Sequence, residues 1–143
     1  LEDLANGEFK RVIGEIDELD GKKVKRVVLC AGKVYYDLLA ARREKKITDI
    51  AIVRIEQLYP FPNASLHAEL AKYPKAAEIV WCQEEPRNQG AFYQIRHRIE
   101  RVLDASQTLS FAGRPTSASP AVGYMSKHVA QLKQLIDDAL TLN

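Results

Sequence analysis

Four apolar runs rich in β-branched residues recur along the chain: Arg26-Val27-Val28-Leu29-Cys30, Ile50-Ala51-Ile52-Val53-Arg54-Ile55, Glu78-Ile79-Val80-Trp81-Cys82 and Thr108-Leu109-Ser110-Phe111. They are apolar throughout, not alternating, as befits strands covered on both faces. The spacing from Arg26 to Ile50, to Glu78 and to Thr108 leaves room for a crossover helix each time. The intervening segments carry helical periodicity. Val34, Leu38 and Ala41 share one face, as do Leu66, Leu70 and Tyr73, a stripe that Pro74 stops. Phe92, Ile95, Ile99 and Val102 mark a third helix. Val129, Leu132, Ile136 and Ala139 mark a fourth, with Ser126 as its N-cap. All four stripes read as core packing.

Upstream, Arg11-Val12-Ile13-Gly14-Glu15-Ile16 adds a fifth strand. No crossover helix separates it from the first apolar run, so it belongs at an antiparallel edge. The expected fold is α/β: a three-layer sandwich around a mostly parallel five-stranded sheet with one antiparallel edge strand. Strand order is not readable from this pattern. The longest irregular stretch, AGRPTSASPAVGYM at 112–125, is of a length that usually marks function or packing against a neighbour.

With 143 residues, 46% hydrophobic and 28% charged, the chain has the composition of one globular domain, able to bury a core without disulfide or metal. The net charge of +2 is too small and mixed to indicate nucleic acid. Both basic runs, Arg42-Arg43-Glu44-Lys45-Lys46 and Arg96-His97-Arg98, read as solvated helix surfaces. Cys30 and Cys82 lie in apolar runs outside any metal-ligand spacing, which points to small hydrophobes in a reducing, cytoplasmic compartment. No membrane span or signal peptide is expected. The chain opens on Leu1-Glu2-Asp3-Leu4, not on Met, as a fragment or processed product would.

Open parallel sheets bind ligands outside the carboxyl ends of their strands. That rule selects four loops: Ala31-Gly32-Lys33, Glu56 to Pro62, Gln83 to Gly90, and the long loop with Arg114, Ser117 and Ser119. The third is the densest polar cluster. Gly32 and Gly90 each precede a helix whose first N–H groups attract anions, and Lys33 and Arg114 supply fixed positive charge. Glu84 and Glu85 oppose an anion unless paired. As strand-end neighbours they point to opposite faces and form no facing acid pair. The cluster therefore reads either as a polar interface against another domain or as an anion site. His67, His97 and His128 fall on polar or mixed helix faces, and no nucleophile, zinc or nucleotide motif appears.

Particular strings then carry a resemblance. GEIDELD at 14–20, VKRVVLCAGKVYYDLLAARR at 24–43, DIAIVRIEQLYPFP at 49–62, WCQEEPRNQGAFY at 81–93 and AGRPTSASPAVGYMSKH at 112–128 resemble, in order, the C-terminal end of the bacterial 2-oxoglutarate dehydrogenase decarboxylase family. Two departures stand out: Ala31 where many relatives have Ser, which removes a hydroxyl beside Lys33, and Phe92 where Trp is common. The resemblance implies a transketolase C-terminal-like domain over 1–143, with 1–10 a linker from an upstream domain. It implies a full-length subunit that decarboxylates 2-oxoglutarate with thiamine diphosphate and Mg²⁺ and passes succinyl to a lipoyl group in the tricarboxylic acid cycle. The cofactor and metal sites are expected in the upstream domains. This region is left with no catalytic, cofactor or metal residue and is expected to be inactive alone. Expected partners are those domains, a second subunit in a homodimer and the other components of the complex.

The family also implies an effector site for acetyl-CoA or AMP. The residues assigned to it are Lys33, Gln83, Arg87, Asn88, Gln89, Gly90 and Arg114. Three readings follow: a structural and dimer-interface domain, a nucleotide-effector module, and a free-standing binding protein of flavodoxin-like topology.

Overall fold

A computed structural model describes residues 11–114 and 125–142. Five strands form one sheet: β1 (Val12–Ile13), β2 (Arg26–Cys30), β3 (Ile50–Ile55), β4 (Glu78–Pro86) and β5 (Thr108–Arg114). The helices are α1 (Val34–Glu44), α2 (Asn63–Leu70), α3 (Phe92–Val102) and α4 (Met125–Ala139). Strand order is β1-β3-β2-β4-β5. The pairs β2–β3, β2–β4 and β4–β5 are parallel, and β1 lies antiparallel on the edge of β3. The expected three-layer α/β fold with an antiparallel edge strand is therefore the one observed.

The apolar runs divide by strand periodicity between two cores. Val27, Leu29, Ala51, Val53, Ile55, Ile79 and Trp81 meet α2 and α3 through Leu66, Leu70, Ile95 and Ile99. Their alternate neighbours, Val28, Cys30, Ile50, Ile52, Val80 and Cys82, meet α1 and α4 through Leu38, Leu39, Leu135 and Ile136. Continuous hydrophobicity in β2 and β3 follows from this double coverage.

Two buried arginines lock the periphery to the sheet. Arg26 is in register with Glu78 and bonds its carboxylate at 3.0 and 3.2 Å. The other terminal nitrogen donates to the carbonyls of Asp138 and Ala139 at 3.0 Å each, closing the C-terminal end of α4 where positive charge is favoured. Arg42 ties down the segment after β1. Its guanidinium donates to both oxygens of Glu15, to Asp17 at 2.8 Å and to the carbonyl of Ile50 at 3.1 Å. Glu15 also accepts the N–H of Ile52 at 2.8 Å, a donor that β1 no longer reaches.

Several expectations change. Arg42 is 1% exposed, so the first basic run is not simply a solvated face. Its neighbour Arg43 is exposed and pairs with Asp17. β4 extends four residues beyond Cys82, through Gln83-Glu84-Glu85-Pro86, and β5 runs on to Arg114. At its start β5 alternates exposed and half-buried residues, because it lies at the edge of the sheet. The helix α2 ends at Leu70, and Tyr73 reaches the core from the turn that follows. In α4, Val129 is exposed, and the buried positions are Leu135, Ile136 and Ala139. That helix begins at Met125, one residue before the expected cap. The expected linker 1–10 and most of the long loop, 115–124, lie outside the described residues.

Candidate functional site

The parallel register brings the carboxyl ends of β2, β3, β4 and β5 to one edge of the sheet. All seven residues assigned from the sequence lie there, but they do not act alike. Gln83 is buried and serves as a clamp. Its Oε1 accepts the indole N–H of Trp81 at 2.9 Å and the backbone N–H of Phe92 at 3.2 Å. Its Nε2 faces the carbonyls of Gln89, Pro86 and Glu85 at 2.7, 2.9 and 3.2 Å. Two donors meet the oxygen and three acceptors meet the nitrogen, which fixes the amide orientation and exhausts its bonding capacity. The first free N–H of α3 is thereby taken by the chain itself.

Two glycines make the clamp possible. Gly90 adopts φ +69°, a left-handed conformation open to glycine, and a side chain there would press on Gln83 and Glu85. Gly113 lies where β4 and β5 slip register between Cys82 and Pro86. A Cβ on Gly113 would come within 2.4 Å of the Phe111 ring and 3.0 Å of the Gln83 carbonyl.

Around this clamp each charged side chain has a different kind of partner. Lys33, at the start of α1, stands 3.5 Å from the carboxylate of Glu84. Lys33 is 81% exposed and Glu84 18%, so the pair is a weak surface contact. Arg114, buried at the end of β5, donates to the main-chain carbonyl of Glu84. Arg87 lies over the rings of Phe92 at 5.3 Å and Phe111 at 5.6 Å. Asn88 and Gly90 are exposed in the connecting turn, and Gln89 returns its N–H to Pro86 at 2.9 Å. Glu85 is exposed, while Glu84 is drawn in towards Lys33.

Arg54 belongs to the same edge and was not singled out from the sequence. Its guanidinium stacks over Tyr35 at 4.7 Å and Tyr36 at 5.4 Å and pairs with Glu56. The signal was present as a lone charge in the apolar run IAIVRI. In the loop that follows β3 the Tyr59-Pro60 peptide is cis.

Both thiols are shut away from solvent. Cys30 and Cys82 occupy paired register positions on β2 and β4, both fully buried. Burial pushes Cys30 up to about 12 and raises Cys82 as well. His67 and His97 are exposed on their helices, and the side chain of His128 is outside the described residues. Among the described residues, no three His, Cys, Asp or Glu side chains gather to hold a metal ion. Glu56 and Glu84, the half-buried acids of the edge, sit against Arg54 and Lys33. This donor set does not fit a Mg²⁺–diphosphate centre, which requires converging free oxygen ligands. No described helix is long and apolar enough to cross a membrane.

Comparisons with known proteins bear on this edge. One solved chain, titled a split-gene transketolase in an inactive β4 tetramer, matches with TM-score 0.62 at 15% identity, over 94% of this chain and 43% of its own. At that identity the likeness is one of fold. The 2-oxoglutarate dehydrogenase E1 component of Haemophilus influenzae is 59% identical over 141 residues, covering 99% of this chain and 15% of that protein. Those of Cupriavidus necator and Coxiella burnetii are 55% and 54% identical, over 97% and 99% of this chain. The chain thus spans 15% of the length of these relatives. A family model described as 2-oxoglutarate dehydrogenase C-terminal matches residues 1–140. From its first strand to its last helix, the chain belongs to the 2-oxoglutarate dehydrogenase C-terminal family.

Proposed function

We propose that this domain is the non-converting end of a subunit that decarboxylates 2-oxoglutarate with thiamine diphosphate and Mg²⁺ and delivers succinyl to a lipoyl group in the tricarboxylic acid cycle. In this reading it packs against the upstream domains and a second subunit in a cytoplasmic homodimer. The observation that carries it is the family match over residues 1–140, taken with an edge whose polar groups are largely spent on one another. When bound upstream, thiamine diphosphate would supply the carbanion-stabilising chemistry. The residues of this chain hold loops and present a surface.

The test is a chimera in which this chain replaces the corresponding end of the Haemophilus influenzae relative. A dimer that releases CO₂ from 2-oxoglutarate supports the proposal. A soluble, folded chimera that fails to assemble or turn over would refute it.

A second reading is favoured by the cationic groups that bracket the clamp. Lys33, Arg87 and Arg114, with Asn88, Gln89 and Gly90 in the turn, form an effector edge for acetyl-CoA or AMP. Gln83 then acts as a positioning residue, since its amide is saturated by the loop. Calorimetry with acetyl-CoA and with AMP tests this, using Lys33→Ala and Arg114→Ala as controls. Heat that both variants abolish supports it, and absence of heat at millimolar ligand in low salt counts against it.

A further inference from the structure

A groove of about 300 Å³ lies beside the first two turns of α3, lined among the described residues by Arg87, Phe92, Tyr93, Arg96 and His97. Tyr93, Arg96 and His97 share a helix face at spacings of three and four. Tyr93 is 78% exposed. Tyr59, also exposed, extends the patch by bonding the side chain of Gln94 through its hydroxyl. Glu100, the one acid of α3, stands 3.6 Å from Arg96, and no acid lines the groove itself among the described residues. Exposed tyrosines among arginines are the composition of an interface centre, where Tyr and Arg are enriched.

The geometry points to this groove as a docking site for an acidic segment of another polypeptide, with carboxylates on Arg87 and Arg96 and an apolar side chain against the exposed ring of Tyr93. A second copy presenting the same face would set like charges together. A small free anion is disfavoured because the Arg96 side chain is 56% exposed and stays solvated unless something larger covers it. Nucleic acid is disfavoured by the low net charge of +2. The inference stands independently of the proposed catalytic context.

The test is fluorescence anisotropy at low ionic strength with a fluorescein-labelled oligoglutamate peptide carrying one central Phe. Saturable binding is expected, weakened about tenfold by Arg96→Glu and several-fold by Tyr93→Ser. Lys22→Glu, on the exposed β1–β2 connection, should leave it unchanged, and circular dichroism confirms that each variant is folded. Undetectable binding, equal affinity in Arg96→Glu, or tighter binding of inorganic phosphate or a thymidine oligonucleotide than of the peptide would overturn the proposal.

Discussion

Replacing Gln83 with Leu should unfasten the β4–α3 connection. The side chains are similar in size, so little cavity cost arises and the effect is nearly all polar. The substitution leaves two buried donors, the Trp81 indole N–H and the Phe92 backbone N–H, without their acceptor. An unsatisfied buried donor costs about 1–3 kcal/mol. Of the three carbonyls that face Nε2, those of Glu85 and Gln89 are only partly buried and can recruit water at smaller cost, while the buried Pro86 carbonyl keeps a second lone pair with little to add. The expected loss is roughly 3–4 kcal/mol, or a melting temperature lower by about 10 °C in a domain of this size. Gln83→Glu should be no better above the carboxylate range, because it retains the acceptor but sets an anion against those carbonyls. Thermal melts by near-ultraviolet circular dichroism measure stability, and the emission of the single Trp81 reports the local change. A Gln83→Leu protein within about 1 kcal/mol of the parent, with unaltered Trp81 emission, would refute the clamp.

Three other outcomes follow from the buried groups. Arg42→Leu strands the Glu15 carboxylate, which is 5% exposed, and should cost about 3–5 kcal/mol by urea denaturation; pairing it with Glu15→Leu should recover part of that loss. Asp17 is held down from 3.8 to about 2, first by its hydrogen bond from Arg43 and, against a desolvation penalty, by Arg42. A depressed carboxyl stabilises the fold above its unfolded value, so this contribution is present above about pH 4, fades as pH falls towards 2, and should be absent in Asp17→Asn when stability is followed against pH. Cys30 and Cys82 should resist an aromatic disulfide reagent at pH 8 in the native state and both react in denaturant; rapid stoichiometric labelling of native protein would contradict their burial.

The strands were legible where burial is symmetric. β2 and β3 begin and end where their apolar runs do, because both faces are covered. The apolar pattern of β4 stops short because Gln83 looks like the end of a strand, and nothing local shows that a polar residue is buried with partners at Trp81, Phe92 and Gln89. Arg42 is hidden from the sequence pattern for the same reason. It sits in a basic run, and its partners Glu15 and Asp17 are joined to it only by the fold. GEIDELD and LLAARR were visible as family strings, but the ion pairs that link them belong to tertiary structure. Chain order gave the edge position of β1, while the sequence of strands across the sheet depends on crossovers that leave no local pattern. The seven residues share one edge of the sheet because each lies near the carboxyl end of a strand of the same direction, yet their division into a clamp, a surface pair and a stacked arginine required coordinates.

The most direct measurement is CO₂ release from 2-oxoglutarate by the purified 143-residue chain, supplied with thiamine diphosphate, Mg²⁺ and an artificial electron acceptor. Release at the level of buffer alone is the predicted result, with the chain folded by circular dichroism. Turnover that scales with chain concentration and requires the cofactor would contradict a domain that supports catalysis without performing it.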